Sequence, residues 1–173
     1  EANRMNDNYT SDLVMNLTAV IDELDKQAFI DRQKLGLGGH SYGAFSTMNA
    51  ISLVPWFKGA IAGDGMYNRT LTPFGFQSER RSFYQAQATY LDMSPFLHAN
   101  NLTGALLMYH NMHDQNVGTD PDNSIRLLHA LQGLGDARGQ GLQASRVRQG
   151  GRLAALLEPG HAQHHRQPRQ IGR

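Results

Sequence analysis

Gly39-His40-Ser41-Tyr42-Gly43 is the segment of this chain whose residue types and spacing most clearly could do chemistry. It reads G-x-S-x-G, with the short apolar run Lys34 to Gly38 before it and a helix-period run from Ala44 to Leu53 after it. A serine on so tight a strand-to-helix turn is held in a strained backbone conformation and projects at the carboxyl end of the strand. Glycine is expected on both sides of the serine, because side chains there would strike the neighbouring strand and helix. The same turn sets the Tyr42 N–H at a helix N-terminus, where it can donate to an oxyanion with the helix dipole behind it. A serine hydroxyl is a weak nucleophile unless a histidine takes its proton, and that histidine needs a carboxylate to orient it.

The acid and the base should follow in that chain order, each after a later strand. Asp114 fits the acid, just past the apolar run Ala105 to Tyr109, in the loop His110-Asn111-Met112-His113-Asp114-Gln115-Asn116. Asp64, after the run Gly59 to Gly63, is its rival, since acids also occur at that earlier strand end. Four histidines follow Asp114: His129, His161, His164 and His165. His129 sits inside a helical pattern, whereas His161 lies in the turn Glu158-Pro159-Gly160-His161 and is the candidate base. The eight histidines form no spaced metal motif, and with no cysteine there is no thiolate site, no disulfide scaffold and no cysteine nucleophile.

The elements that must carry these residues follow from periodicity. Leu13, Val14, Leu17, Val20, Ile21 and Leu24 repeat at helical spacing behind Ser11. Three short strands are expected at Lys34–Gly38, Gly59–Gly63 and Ala105–Tyr109. Helices are expected over Ala44–Leu53, with Ala44, Met48 and Ile51 on one face, in pieces over 81–100 broken at Pro95, and around Ile125 to Leu134. Short apolar strands alternating with helices predict an α/β fold, a mostly parallel sheet with helices on both faces.

The chain has 173 residues and a formal net charge of +1, but the charge is unevenly placed. Residues 1–135 carry 9 Lys and Arg against 13 Asp and Glu, whereas residues 136–173 carry 7 Arg against 2 acids. All 14 aromatic residues lie at or before Tyr109. The segment 136–173 therefore reads as an atypical basic tail, poorly suited to fill a core. It lacks the interleaved aromatics of a nucleic-acid module, so no nucleic-acid partner is expected. No run of 18 apolar residues exists, so no membrane-spanning helix is expected either.

Residues Gly38 to Phe45 resemble the nucleophile elbow of the prolyl oligopeptidase family of serine peptidases. The stretch from Gly65 to Gln77, with Glu79 and Arg80 after it, is similar to the glutamyl endopeptidase branch, as is His113-Asp114-Gln115-Asn116-Val117-Gly118-Thr119. The resemblance covers about residues 1–135. It implies an α/β-hydrolase catalytic domain, incomplete on its N-terminal side, that hydrolyses peptide bonds through an acyl-enzyme. Ser41 would attack, Asp114 would orient the histidine, and the Tyr42 amide would bind the oxyanion. A β-propeller would accompany the domain in the full-length protein, and no metal or organic cofactor would be needed. Cleavage after acidic residues calls for a cation, for which Arg69, ahead of Arg80 and Arg81, is the candidate. Where the family continues into an aromatic-rich strand and an acidic-histidine turn, this chain has Arg146-Val147-Arg148-Gln149 and no histidine. That break is expected of a shifted reading frame or a foreign tail, with His161 as the substitute base. An esterase-like hydrolase with the same elbow, or an inactive hydrolase-like fragment serving as an interaction module, are the alternative functions.

Overall fold

The computed structural model describes residues 6–137, 143–149 and 152–158. Helix α1 (Tyr9–Leu24) leads into strand β1 (Gly36–His40), helix α2 (Tyr42–Leu53) and strand β2 (Gly59–Gly63). A long connection then holds helix α3 (Gln87–Asp92) and a 3-10 turn over Pro95–Asn101, before strand β3 (Ala105–Asn111) and helix α4 (Asp122–Ala137). Strands β4 (Gln143–Gln149) and β5 (Arg152–Glu158) complete a five-stranded sheet in the order β1-β2-β3-β5-β4. β1, β2 and β3 are parallel, and β5 runs antiparallel to both β3 and β4. Two of the four pairings are parallel and two antiparallel, so the described sheet is mixed, and it is parallel across the three strands that the alternation predicts.

The core lies on one face of that sheet. Ala60, Ala62, Leu106, Met108 and Ala155 meet Met48 and Ile51 of α2, Leu127, Leu128 and Leu131 of α4, and Ile21 of α1. The opposite face carries Ile61, Leu107 and Tyr109 among glycines, and among the described residues no helix covers it: Ile61 is 49% exposed and Tyr109 37%. Helices on both faces were the expectation, so here the described cover is one-sided. The Tyr109 ring instead lies across Gly63, where a Cβ would sit 2.0 Å from a ring carbon.

Other departures have local causes. β1 begins two residues later than its apolar run, because Asp31 accepts from the Gln33 N–H and turns Arg32–Lys34 into a 3-10 helix. α2 begins at Tyr42 rather than Ala44, directly from the Ser41 turn. It is buried almost all round rather than along one face, from Ala44 and Phe45 through Thr47 to Ser52. Its buried Asn49 is accommodated because the side-chain amide donates to the carbonyls of Phe45 and Met93. In α1, Val20 faces out at 55% exposure, leaving Ile21 as the anchor. Strands β4 and β5 fall within the basic segment 136–173, where average composition argues against core elements. The average hides Arg-Leu-Ala-Ala-Leu-Leu-Glu at 152–158, an apolar run that pairs with β3 over Leu106 to Asn111.

Candidate active site

His40, Gly63 and Tyr109 lie level in the sheet, so the residues that follow them emerge side by side at one edge. Ser41 is the first residue past β1, with φ 56 and ψ −117. A non-glycine residue in that left-handed region costs about 1–3 kcal/mol, and the surroundings must hold it there. They do so through the Ser41 N–H, which donates to the Gly63 carbonyl at 2.8 Å, and the Ser41 carbonyl, which accepts from the Phe45 N–H at 3.1 Å. The Ser41 side chain makes no cap bond to α2, so its hydroxyl is not consumed by the helix it precedes. The Tyr42 N–H opens that helix, where the first amides have no intrahelical acceptor.

The two flanking glycines are not equivalent. A Cβ on Gly39 would lie 2.3 Å from the Gly43 carbonyl, which no adjustment of a side chain can relieve. A Cβ on Gly43 would meet nothing within 4 Å, so the expected clash at that position is absent.

Ser41 and Tyr42 line a cleft of about 320 Å³ that also takes in Phe45, Arg69, Phe76 and the loop Asn116 to Thr119. Arg69 is 4% exposed. Its guanidinium lies 4.0 Å from the Phe45 ring centroid and 4.1 Å from that of Phe76. Its Nε has no hydrogen-bond partner, and no carboxylate pairs with it among the described residues. Burial pulls its pKa down to about 10, which still leaves it protonated at neutral pH. The Arg69 backbone N–H is pinned by the buried Ser94 hydroxyl at 2.9 Å. The neighbouring arginines serve elsewhere: Arg81 pairs with Glu79 and Asp7, and Arg80 is exposed.

Asp114 lies five residues before Thr119 in the loop that reaches the cleft. Its Oδ1 accepts from the Asn116 N–H at 2.9 Å and its Oδ2 from the Thr119 hydroxyl at 2.7 Å. Those bonds, the Asn116 amide first, hold its carboxyl below the usual carboxylate range. Asp64, the rival acid, is the first residue past β2, at φ 48. One of its oxygens accepts from the Asn111 N–H at 2.7 Å and the other lies 3.3 Å from His40 Nε2, so it ties down the end of β3. His110 lies fully buried between the two acids, 3.9 Å from Asp64 and 3.8 Å from Asp114. These three offer ligand atoms within 4.8 Å of one another, but both His110 nitrogens are already in hydrogen bonds.

Among the described residues no imidazole hydrogen-bonds to Ser41 or Asp114. His129 is exposed on α4, and His161 lies outside the described residues. The structure thus gathers Ser41, Tyr42 and Arg69 in one cleft with the loop that carries Asp114. Sequence reasoning missed Phe45 and Phe76 as the walls around Arg69, and it missed Thr119 and His110 beneath Asp114. The Asx-turn pattern Asp114-Gln115-Asn116-Val117-Gly118 is a local signal for the loop's shape. Nothing local signals the aromatic walls, which come from positions 31 residues apart.

A sequence model of the prolyl oligopeptidase family matches residues 2–151. The probable chloroplastic glutamyl endopeptidase of Arabidopsis thaliana is 44% identical over 131 residues, covering 75% of this chain and 14% of that protein. The chain thus spans about a seventh of that relative's length. The acylaminoacyl peptidase of Pyrococcus horikoshii superimposes with a TM-score of 0.61 at 26% identity, over 72% of this chain and 21% of that one. Dipeptidyl peptidase 4 of Porphyromonas gingivalis shares the fold at a TM-score of 0.63 and 20% identity, over 75% of this chain and 18% of that one. With the elbow at Ser41 set in an α/β-hydrolase sheet, this chain belongs to the prolyl oligopeptidase family of serine peptidases.

Proposed function

We propose that this chain carries the nucleophile, oxyanion amide, acid and specificity cation of a peptidase that cleaves after acidic residues. The observation that carries the reading is the left-handed Ser41, whose hydroxyl is left out of the helix cap at the mouth of a cleft. Ser41 Oγ attacks the scissile carbonyl, and the Tyr42 N–H binds the oxygen as it gains charge. Asp114, held ionised by Asn116 and Thr119, orients the histidine that takes the serine proton and returns it to the leaving amine. That histidine comes from the segment after β5, where His161, His164 and His165 lie outside the described residues. The uncompensated Arg69 charge accepts the substrate carboxylate. In the whole protein a β-propeller limits access to peptides.

A fluorophosphonate probe tests the nucleophile: it labels Ser41, and Ser41→Ala abolishes the label. A wild-type chain that stays unlabelled while folded refutes working chemistry and leaves the inactive interaction module. Turnover of short esters without turnover of matched peptides refutes the peptidase and favours the esterase.

A further inference from the structure

The loop that carries Asp114 is turned by its own Asx bonds and a 3-10 turn over Val117–Thr119, but those bonds do not fasten it to the core. Thr119 is the residue through which it is fastened. Its hydroxyl donates to Asp114 Oδ2 at 2.7 Å, and its carbonyl lies 2.7 Å from His110 Nε2. A carbonyl can only accept, so His110 Nε2 carries the proton. In the neutral ring His110 Nδ1 then accepts from the Ser124 hydroxyl, also at 2.7 Å. His110 and Ser124 are 0% and 1% exposed, so neither bond competes with water. The chain of contacts runs from the first turn of α4 through the end of β3 into the acid loop.

The neighbouring residue in α4 does the same for the other side of the cleft. Asn123 Oδ1 accepts from the Tyr67 and Asn68 N–H groups, 3.1 Å each, immediately before Arg69. Two consecutive α4 residues therefore anchor the loop of the acid and the loop of the specificity cation.

We propose that His110 is a positioning residue for the acid, acting as a fixed Nε2–H tautomer that clamps Thr119 and so sets the Thr119–Asp114 hydrogen bond. Its role does not involve touching substrate. The charged groups that face it are the Asp64 and Asp114 carboxylates, with His40 beyond Asp64. The consequence for peptide hydrolysis rests on the proposed function, but the clamp itself does not.

The test is an NMR titration of the Asp114 side-chain carboxyl carbon, paired with fluorophosphonate labelling of Ser41. In the wild type, Asp114 titrates below the ordinary carboxylate range. In His110→Phe, which keeps a ring but loses both bonds, the midpoint moves up toward that range. Labelling slows about 10- to 100-fold, as expected for a misplaced acid. His110→Gln, which retains an amide donor toward Thr119, recovers part of both. A folded His110→Phe with an unmoved Asp114 midpoint overturns the proposal, and so does a His110→Gln whose midpoint stays with that of His110→Phe, because His110 also acts on the Asp114 carboxyl through space and only the clamp is restored by an uncharged amide donor. If His110→Phe does not fold, Ser124→Ala decides: an Asp114 midpoint shifted upward supports the clamp, and an unmoved one overturns it. Absence of labelling in the wild type refutes the proposed function, while the Asp114 titration still decides the clamp.

Discussion

Replacing Arg69 with methionine isolates the charge that the cleft presents. The guanidinium carbon lies 4.0 Å from the Phe45 ring centroid and 4.1 Å from that of Phe76, so two aromatic rings hold it in the cleft wall. It keeps its proton at neutral pH although burial lowers its pKa to about 10. No carboxylate among the described residues neutralises it, so its charge is available to a substrate. A charge-assisted hydrogen bond in such a setting contributes about 1.5–3 kcal/mol, a factor of about 10 to 150. The assay compares kcat/KM for two peptides that differ only in Glu or Gln at the cleavage position. Arg69→Met and Arg69→Ala should erase the Glu preference by that factor and leave Gln turnover little changed. Arg69→Lys should not restore it, since a lysine lacks the planar group that both rings hold. Stability should move the other way: methionine removes a buried uncompensated charge, so Tm stays level or rises. An unchanged Glu-to-Gln ratio in Arg69→Met would refute the assignment, whatever happened to total activity.

Gly39→Ala should cost several kcal/mol, because its Cβ has nowhere to go, and would show as loss of the folded protein or a large fall in Tm. Gly43→Ala should be neutral or stabilising by up to about 1 kcal/mol, since it adds a helix former into open space; a large Tm loss would contradict that. Glu79 is held down to about 2 by Arg81, the Arg81 N–H and Asn6. Because its folded pKa is depressed, its contribution is complete above the ordinary glutamate range and is lost as pH falls toward 2. Glu79→Gln should cost about 1.5–3 kcal/mol at pH 6 and flatten the acid limb of urea denaturation; matching curves for the two proteins at both pH 6 and pH 3 would count against it.

Legibility in the sequence followed how local each cause is. The Ser41 turn was readable because G-x-S-x-G between a strand and a helix leaves few other conformations. The burial of α2 on all sides was not, because its polar Asn49 and Ser52 look like a solvated face until the Met93 carbonyl and the helix's own carbonyls accept from them. Arg69 was singled out by resemblance, whereas its unsatisfied burial depends on Phe76, brought back over it by a turn that Gly75 makes at φ 104. That turn is fixed by a pair of backbone bonds between Phe76 and Glu79, and by Arg81 on the Glu79 carboxylate. Strand β5 was lost in the composition of residues 136–173, since its five apolar residues are outweighed by the arginines around them.

The direction of β5 bears on which histidine can serve Ser41. β5 is antiparallel to β3, with Leu157 opposite Leu106 and Arg152 opposite Asn111. Its last residue, Glu158, is therefore at the amino end of β3, while Ser41 and Asp114 lie past the carboxyl ends. Six residues of β3 separate those levels, about 20 Å at the rise of a strand. For His161 to reach them, three residues must cover that gap, yet three fully extended residues span at most about 11 Å. The remaining distance exceeds the length of an imidazole side chain. Six or seven residues, as far as His164 and His165, span about 21–25 Å and meet the requirement. With β5 paired as it is, His161→Ala should leave Ser41 labelling intact and His164→Ala with His165→Ala should abolish it. Loss of labelling in His161→Ala alone would mean that β5 leaves the edge of β3 in the active protein and that the chain turns back toward Ser41 sooner.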